Sequence, residues 1–255
     1  MHRRNLLKGA ALSGIAGTLL SPTLQAAAAA KETGEAARAL TGLQQTLDEF
    51  ESAFASPEWR LRTPQDFAEV RRMLLHTLLH ALESWLEGDP ARPFFTLFIH
   101  QHKKLLGDNP DARYYSAVIN DSHRYRIRGN LAGATYTSFT VELGGGTDGD
   151  GIGSTLNDTQ FKADANGDYE IIVSKKEEPG NWMHLPEGAS SLTTRHYYES
   201  ERSINNDRLH HIPVDIENLD PPAPRKSPND ADIAADIRRV ITFMKGNVIT
   251  MNRDN

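Results

Sequence analysis

The chain has 255 residues, of which 38% are hydrophobic and 24% are charged, a composition typical of a soluble globular protein. Its formal net charge is −6, and the absence of a basic block argues against binding of nucleic acid or of an anionic membrane surface. Cysteine is absent, which excludes disulfides, thiolate nucleophiles and cysteine-based metal sites. The fold must therefore be stabilised by its own core.

The N-terminus has the pattern of an export signal. Arg3 and Arg4 precede an apolar pair and Lys8, and a weakly hydrophobic run at 9–20 is followed by small residues at 26–30. We predict a twin-arginine-type signal at 1–30 and a periplasmic or secreted location. The apolar run is shorter than the about 20 residues that a permanent span needs, so we expect no stable membrane span after cleavage. An uncleaved anchor is the alternative.

The next region, 31–106, is predicted to be helical. Apolar residues recur at spacings of three and four over 34–54, which indicates an amphipathic helix. Thr63, Pro64 and Asp66 form a typical helix start, since the threonine can cap, proline suits the first turn and the acid faces the positive end of the helix dipole. This second helix is expected to continue to about Leu86, with a buried stripe that includes Val70 and Leu74.

From residue 107 onward the hydrophobic period changes to that of strands. Short β-branched or aromatic runs lie at 114–119, 125–128, 135–143, 169–174, 191–198 and 209–216, with turn residues between them. Several strands without intervening helices indicate an antiparallel sandwich or barrel. A C-terminal helix is predicted from Asp230. The class is therefore α+β, with the second region at 107–255.

The stretch Pro179-Gly-Asn-Trp182, followed by a proline-containing turn and a strand that ends Arg195-His-Tyr-Tyr198, resembles a bacterial domain of unknown function, the family numbered 1214. The segment Asp164-Ala-Asn-Gly-Asp168 is similar to the hairpin that precedes this turn in the family. The resemblance covers about 107–255. It implies a jelly-roll-like β-sandwich, which completes the predicted architecture of N-terminal helices, sandwich and C-terminal helix.

Three segments have some features of metal sites. His76 and His80 lie one helical turn apart, but on a face opposite the apolar stripe, and a solvated polar face is the favoured interpretation. The segments 146–151 and 164–168 alternate oxygen-bearing residues as calcium loops do, yet Asn166-Gly167 is better interpreted as a tight hairpin turn. No metal site is predicted, and the sequence identifies no cofactor.

The remaining candidate site combines polar and aromatic residues that could bind a carboxylate or a sugar. The candidate ligand-binding residues are Asn181, Trp182, Arg195, Tyr197, Arg126 and Arg128. A structural interpretation stays open beside this one. In it Asn181 caps a turn, Trp182 fills the core, and Arg195 pairs with an acid such as Glu178 or Glu199.

These observations favour an exported binding or accessory module of the cell envelope that holds a small polar molecule or a glycan. One alternative is a carbohydrate-active enzyme, a hydrolase or lyase, which requires Glu178, His196 or Tyr197 to meet in one pocket. A second alternative is a structural oligomer of the envelope. The sequence identifies no catalytic residue and does not determine the oligomeric state.

Overall fold

The computed structural model describes residues 34–144, 151–207, 209–220 and 222–250. The chain divides into a short unit, Met1–Gly34, and a compact unit, Glu35–Asn255. The predicted export signal and most of the 146–151 segment lie outside the described residues. Within the described ranges, no helix is long and apolar enough to cross a membrane.

The described residues of the compact unit form three α-helices and nine β-strands. The helices are α1 (Glu35–Phe54), α2 (Pro64–Ala81) and α3 (Asp230–Lys245). The strands are β1 (Thr96–Ile99), β2 (Ala112–Val118), β3 (Tyr125–Asn130), β4 (Tyr136–Leu143), β5 (Ile152–Asn157), β6 (Asp168–Ser174), β7 (Trp182–His184), β8 (Ala189–Tyr197) and β9 (Val214–Asn218). A π-helical turn extends α2 over Leu82–Leu86, and another extends α3 over Gly246–Thr250.

Helix α2 begins as the sequence predicts. The Thr63 hydroxyl accepts a hydrogen bond of 3.2 Å from the backbone N–H of Asp66, and the Asp66 carboxylate accepts one of 2.9 Å from the N–H of Thr63. Pro64 follows in the first turn. This reciprocal capping satisfies backbone donors that a helix N-terminus otherwise leaves free.

The strands form two sheets. The five-stranded sheet has the order β1-β2-β8-β4-β5 and is antiparallel throughout, whereas the four-stranded sheet has the order β7-β6-β3-β9, with a short parallel pairing of β6 and β7. The predicted α+β class, with N-terminal helices, a jelly-roll-like sandwich and a C-terminal helix, is confirmed.

Two large cores organise the described elements into three layers, and a third, smaller cluster joins α1 and α3. One core fills the space between the two sheets and includes Phe139, Ile171 and Leu192. The other lies between the helices and the outer face of the five-stranded sheet, where Phe50 and Phe243 meet the strands. The five-stranded sheet is therefore the middle layer, and its inner face points toward the four-stranded sheet.

Two local predictions were wrong. The region 31–106 is not wholly helical, because it contains β1, which pairs with β2 in the five-stranded sheet. Strand β9 begins at Val214 rather than near residue 209, because the chain at 199–213 passes from one sheet to the other before it can pair. Asn166-Gly167 does form a turn, with Gly167 at a φ of +86° and its N–H donating to the carbonyl of Asp164. The N–H of Asp164 also donates to the carbonyl of Asp168 at 2.9 Å, which is the hydrogen-bond pattern of a three-residue hairpin loop, as predicted, although β5 and β6 belong to different sheets.

Candidate functional site

The side chain of Asn181 connects a loop to the four-stranded sheet through hydrogen bonds. Its side-chain amide donates to the carbonyls of Lys162, at 2.8 Å, and Glu170, at 2.9 Å. Its side-chain oxygen accepts a 2.8 Å hydrogen bond from the N–H of Lys162. These contacts engage both amide hydrogens and the oxygen. The geometry therefore matches the structural interpretation of Asn181.

Trp182 lies on the edge strand β7 and is half-buried, with its indole N–H donating to the hydroxyl of Ser174 at 3.0 Å. Its neighbour Met183 is the residue that enters the core. Successive residues of a strand point to opposite faces, so the tryptophan stays on the outer side.

Arg195 and Tyr197 point to the outer face of the five-stranded sheet, toward the helical layer. The Arg195 guanidinium donates to the hydroxyl of Thr140 at 2.8 Å and lies 3.8 Å from the carboxylate of Glu142. Tyr197 packs against the helical core and pairs with Tyr136, with ring centroids 5.6 Å apart. Arg195 thus has an acidic partner, though neither of the acids that the sequence suggested.

Arg126 and Arg128 lie on the outer face of the other sheet. Arg126 pairs with Glu217 at 2.9 Å, and Arg128 pairs with Glu170 at 3.0 Å. Longer cross-contacts join the same four side chains into one surface network. The six candidate ligand-binding residues therefore lie on two different sheets and do not form a single site.

The residues that the enzyme alternative requires are also separated. Glu178 forms a 3.0 Å ion pair with Arg124 beside the four-stranded sheet. His196 lies inside the sandwich, fully buried, whereas Tyr197 points to the opposite face of the same strand. The three side chains therefore share no pocket.

His80 has surroundings that the sequence analysis did not predict. It is fully buried, and its ring centroid lies 4.4 Å from that of Phe98 on β1. Burial and the nearby Lys103 ammonium lower the pKa of His80 to about 3. The prediction of a solvated face is wrong at this position, because β1 and the segment after it cover the helix. His76 is half-buried, and its Nδ1 accepts a 3.1 Å hydrogen bond from the N–H of Lys104.

No metal centre emerges from these histidines. In the ranges that the structure describes, His, Asp and Glu side chains form no group of three or more that could hold a metal ion.

One end of the sandwich interior is polar. Cross-strand neighbours of β2, β8 and β4 form rows that change from polar to aliphatic: Arg113–His196–Thr137, Tyr115–Thr194–Phe139 and Ala117–Leu192–Val141. Alternate residues of a strand share a face, so all three rows point toward the other sheet. Arg113 is only 3% exposed and His196 is fully buried. A charged and an imidazole side chain thus occupy positions that the core elsewhere fills with hydrocarbon.

Side chains from other elements meet this polar end. Tyr169 of β6 contacts Phe139, with ring centroids 5.6 Å apart, and lies across Gly129, where an added methyl would be 2.4 Å from the phenol oxygen. Tyr198 follows β8 and packs edge-on against His210, at 4.7 Å between centroids. We name this group the interior polar cluster; it consists of Arg113, Tyr115, Tyr169, His196, Tyr198 and His210.

Residues 199–213, described except for residue 208, close this end of the sandwich, and we name them the capping segment. The Arg113 guanidinium donates to the backbone carbonyls of Asp207 and His210. Two residues of the segment itself, Ile204 and Ile212, are buried. These contacts hold the segment against the sandwich and bring His210 to the cluster.

Burial controls the protonation of these groups. It lowers the pKa of His196 to about 4, with a smaller contribution from His210. It raises the pKa of Tyr198 to about 12 and also raises the pKa of Tyr169. At neutral pH the phenols are therefore protonated and His196 is uncharged. Arg113 carries the positive charge of the cluster, since a guanidinium stays protonated at any ordinary pH.

Four polar atoms of the cluster are buried and have no hydrogen-bond partner within the described part of the chain: Arg113 Nε, Tyr169 Oη, Tyr198 Oη and His210 Nε2. Buried polar atoms are nearly always hydrogen-bonded to protein or to ordered water. An unsatisfied one costs about 1–3 kcal/mol. Four such atoms in one place indicate that water or a ligand completes their hydrogen bonds.

An open groove of about 680 Å³ lies beside the cluster along the four-stranded sheet. Its lining residues are Arg128, Gly129, Asp168, Tyr169, Glu170, His211, Pro213, Val214 and Asp215. Tyr169 belongs both to the groove lining and to the interior polar cluster. Arg128 is the one candidate binding residue from the sequence that lines this groove.

Five of the six cluster residues were not among the candidates predicted from the sequence: Arg113, Tyr115, Tyr169, Tyr198 and His210. A signal was present in β2, because Ala112-Arg-Tyr-Tyr-Ser-Ala-Val118 carries a charged residue within a continuously buried strand. A cation is rarely fully buried unless it is paired, so such a residue points to a function. The positions of the other four depend on how the two sheets and the capping segment come together.

Neither a protein-family model nor a curated protein matches the sequence. Among solved structures, the chain is similar to an uncharacterized protein from Burkholderia cenocepacia, with 25% identity and a TM-score of 0.66, over 84% of this chain and 60% of that chain. A protein from Vibrio parahaemolyticus matches 50% of this chain and 31% of its own, at 17% identity and a TM-score of 0.30. The chain thus spans about 60% of the length of the Burkholderia protein. That likeness supports the fold.

Proposed function

We propose that this chain is a binding module that holds a small polar molecule in the interior polar cluster. The four buried, unpartnered atoms support this proposal, because they come from both sheets and from the capping segment and lie together. A core built only for stability is better served by apolar side chains than by unsatisfied polar groups. A ligand with oxygen atoms would complete the hydrogen bonds and recover that energy.

The capping segment offers a route for the ligand. Much of it is exposed, including Leu209 at 93%, and two buried isoleucines and the Arg113 hydrogen bonds hold it in place. Segments with few buried apolar contacts open at a lower free energy than the core does. A local opening here would uncover the cluster while both sheets stay paired.

We also propose that binding takes place in the cell envelope, in the periplasm or outside the cell. The support is the twin-arginine-like pattern of residues 1–30. Membership of the family numbered 1214 stays a proposal as well, resting on the Pro179-Gly-Asn-Trp182 turn and its neighbouring strands. Twin-arginine export usually carries folded proteins, so the interior polar cluster would already be formed when the chain reaches the envelope.

Native mass spectrometry of the protein recovered from the periplasm tests this function. We expect a small molecule bound to the wild-type chain and an N-terminus shortened by about 30 residues, the length of a typical export signal. The Gly129→Ala substitution should lower the bound fraction, because the new methyl would displace Tyr169. Gly107→Ala is the matched control, since a methyl at that position meets no atom within 4 Å. A wild-type chain without any bound molecule, with only water in the cluster, would refute the binding function.

A further inference from the structure

Within the described part of the chain, Arg113 is a buried cation without an acidic partner. It is 3% exposed, and its hydrogen bonds within the described residues go to the backbone carbonyls of Asp207 and His210. None of the ion pairs found within 4.0 Å in the described ranges includes it. Lys103 is equally buried, but it is paired with Glu83.

The nearest acid on the capping segment is already engaged. The Asp207 carboxylate accepts hydrogen bonds from the backbone N–H groups of Leu209, at 2.9 Å, and His210, at 3.2 Å. It therefore shapes the capping segment instead of pairing with Arg113. An uncompensated buried charge strongly destabilises the folded state, which is a strong reason for a protein to supply a counter-ion.

The other groups of the cluster add hydrogen-bond donors and no negative charge. Tyr169 and Tyr198 hold their phenol protons, and His196 and His210 are shifted toward the neutral form by burial. The unpartnered donors are thus one guanidinium N–H and two phenol O–H groups, and the cluster carries a single positive charge. This combination is complementary to one negative charge shared by two oxygen atoms.

We propose that the interior polar cluster binds the carboxylate group of a monoanionic ligand, with Arg113 as its counter-ion and Tyr169 and Tyr198 as hydrogen-bond donors. This inference rests on the proposed binding function of the same cluster. A dianion such as a phosphate ester would bring one more negative charge than the site can neutralise, and a neutral sugar would leave Arg113 uncompensated.

Thermal unfolding of the wild-type protein in the presence of small molecules tests whether the ligand is a carboxylate. At constant ionic strength, sodium acetate should raise the Tm with the concentration dependence of binding to one site, whereas acetamide, its neutral isostere, and sodium chloride should not. Equal effects of acetate and acetamide, or of acetate and chloride, would overturn the assignment of a carboxylate.

Two substitutions test whether the response to acetate arises in the interior polar cluster. Arg113→Met should abolish the acetate response. Tyr198→Phe, which removes only a hydroxyl, should weaken acetate binding about tenfold even if the Arg113 variant fails to fold. Tyr136→Phe is the matched control, because Tyr136 is 39% exposed and lies on the outer side of β4, and it should leave the response unchanged. An undiminished response in Tyr198→Phe would refute this placement of the ligand.

The outcomes separate this inference from the function on which it rests. A neutral molecule bound to the native protein, together with no response to acetate, would refute the carboxylate and leave the binding function standing. A chain without any bound molecule that also shows no response to acetate would refute both.

Discussion

Replacement of the buried His80 should make the protein markedly less sensitive to acid. The side chain is enclosed by α2 and β1, and the groups that face it are the Phe98 ring, the Lys103 ammonium, His76 and His100. Burial and the positive charge of Lys103 both oppose its protonation. The unfolded chain does not oppose it, so between the two pKa values the unfolded state binds more protons and stability falls as the pH falls.

The size of this effect follows from the two pKa values. With a pKa of 6.5 in the unfolded chain and about 3 in the folded chain, His80 lowers the free energy of unfolding by about 2 kcal/mol between about pH 7 and about pH 5. His196, with a folded pKa of about 4, contributes a similar loss of about 2 kcal/mol over the same interval. His80→Leu should therefore remove about half of a combined loss of about 4 kcal/mol.

Urea unfolding followed by circular dichroism at both pH values measures this difference. The slope against urea should stay unchanged, so that a shift of the midpoint reports stability alone. His102→Leu is the control, because His102 follows β1 but is exposed, and it should keep the full acid sensitivity of the wild type. If His80→Leu loses as much stability on acidification as the wild type does, the argument from burial is refuted.

Three further substitutions test individual contacts by the same unfolding measurement at neutral pH. Asn181→Ala removes two hydrogen bonds to Lys162 in a loop and one to Glu170 of β6, and we expect a loss of about 2 kcal/mol. Thr63→Ala removes the cap of α2 and should cost about 1 kcal/mol. Arg126→Gln breaks an exposed ion pair with Glu217 and should cost less than about 1 kcal/mol, with the difference disappearing in high salt.

For each of these three substitutions, one result would contradict the prediction. Asn181→Asp keeps the acceptor and loses the donors, so a stability equal to that of the wild type would mean that the donated hydrogen bonds contribute nothing. Thr41→Ala, within α1, should be nearly neutral because its hydroxyl bonds only to its own helix; a loss as large as that of Thr63→Ala would contradict the capping argument. A large, salt-independent loss in Arg126→Gln would contradict the surface character of its ion pair.

Local patterns in the sequence determined much of the architecture. The start of α2 was predictable because Thr63, Pro64 and Asp66 act through contacts within one turn of helix. Most strands were predictable because alternation and β-branched residues reflect a half-buried position, which is encoded locally. Strands β1, β5 and β7 were not predicted. β1 lies in the region 31–106 that was expected to be helical, Ile152–Asn157 has few strand-forming residues, and β7 has only three residues.

Only the tertiary structure determined which polar side chains are buried and which of them lie near one another. His80 lies on the polar stripe of its helix, yet it is buried, because β1 packs over a face that the helical period assigns to solvent. Arg195 and Arg126 looked like members of one site, but they belong to different sheets, and strand order cannot be deduced from the pattern of a single strand.

The interior polar cluster is the clearest example of this difference between local sequence pattern and tertiary packing. The strand period places Arg113 and His196 on one face of a sheet, but only the closing of the second sheet and the capping segment buries them with Tyr169 and His210. Alternation is a property of neighbouring residues, whereas the meeting of β2, β6 and residues 199–213 depends on contacts far apart in the chain. The sequence by itself therefore determined the elements of this protein, and the packing of its two sheets determined its candidate site.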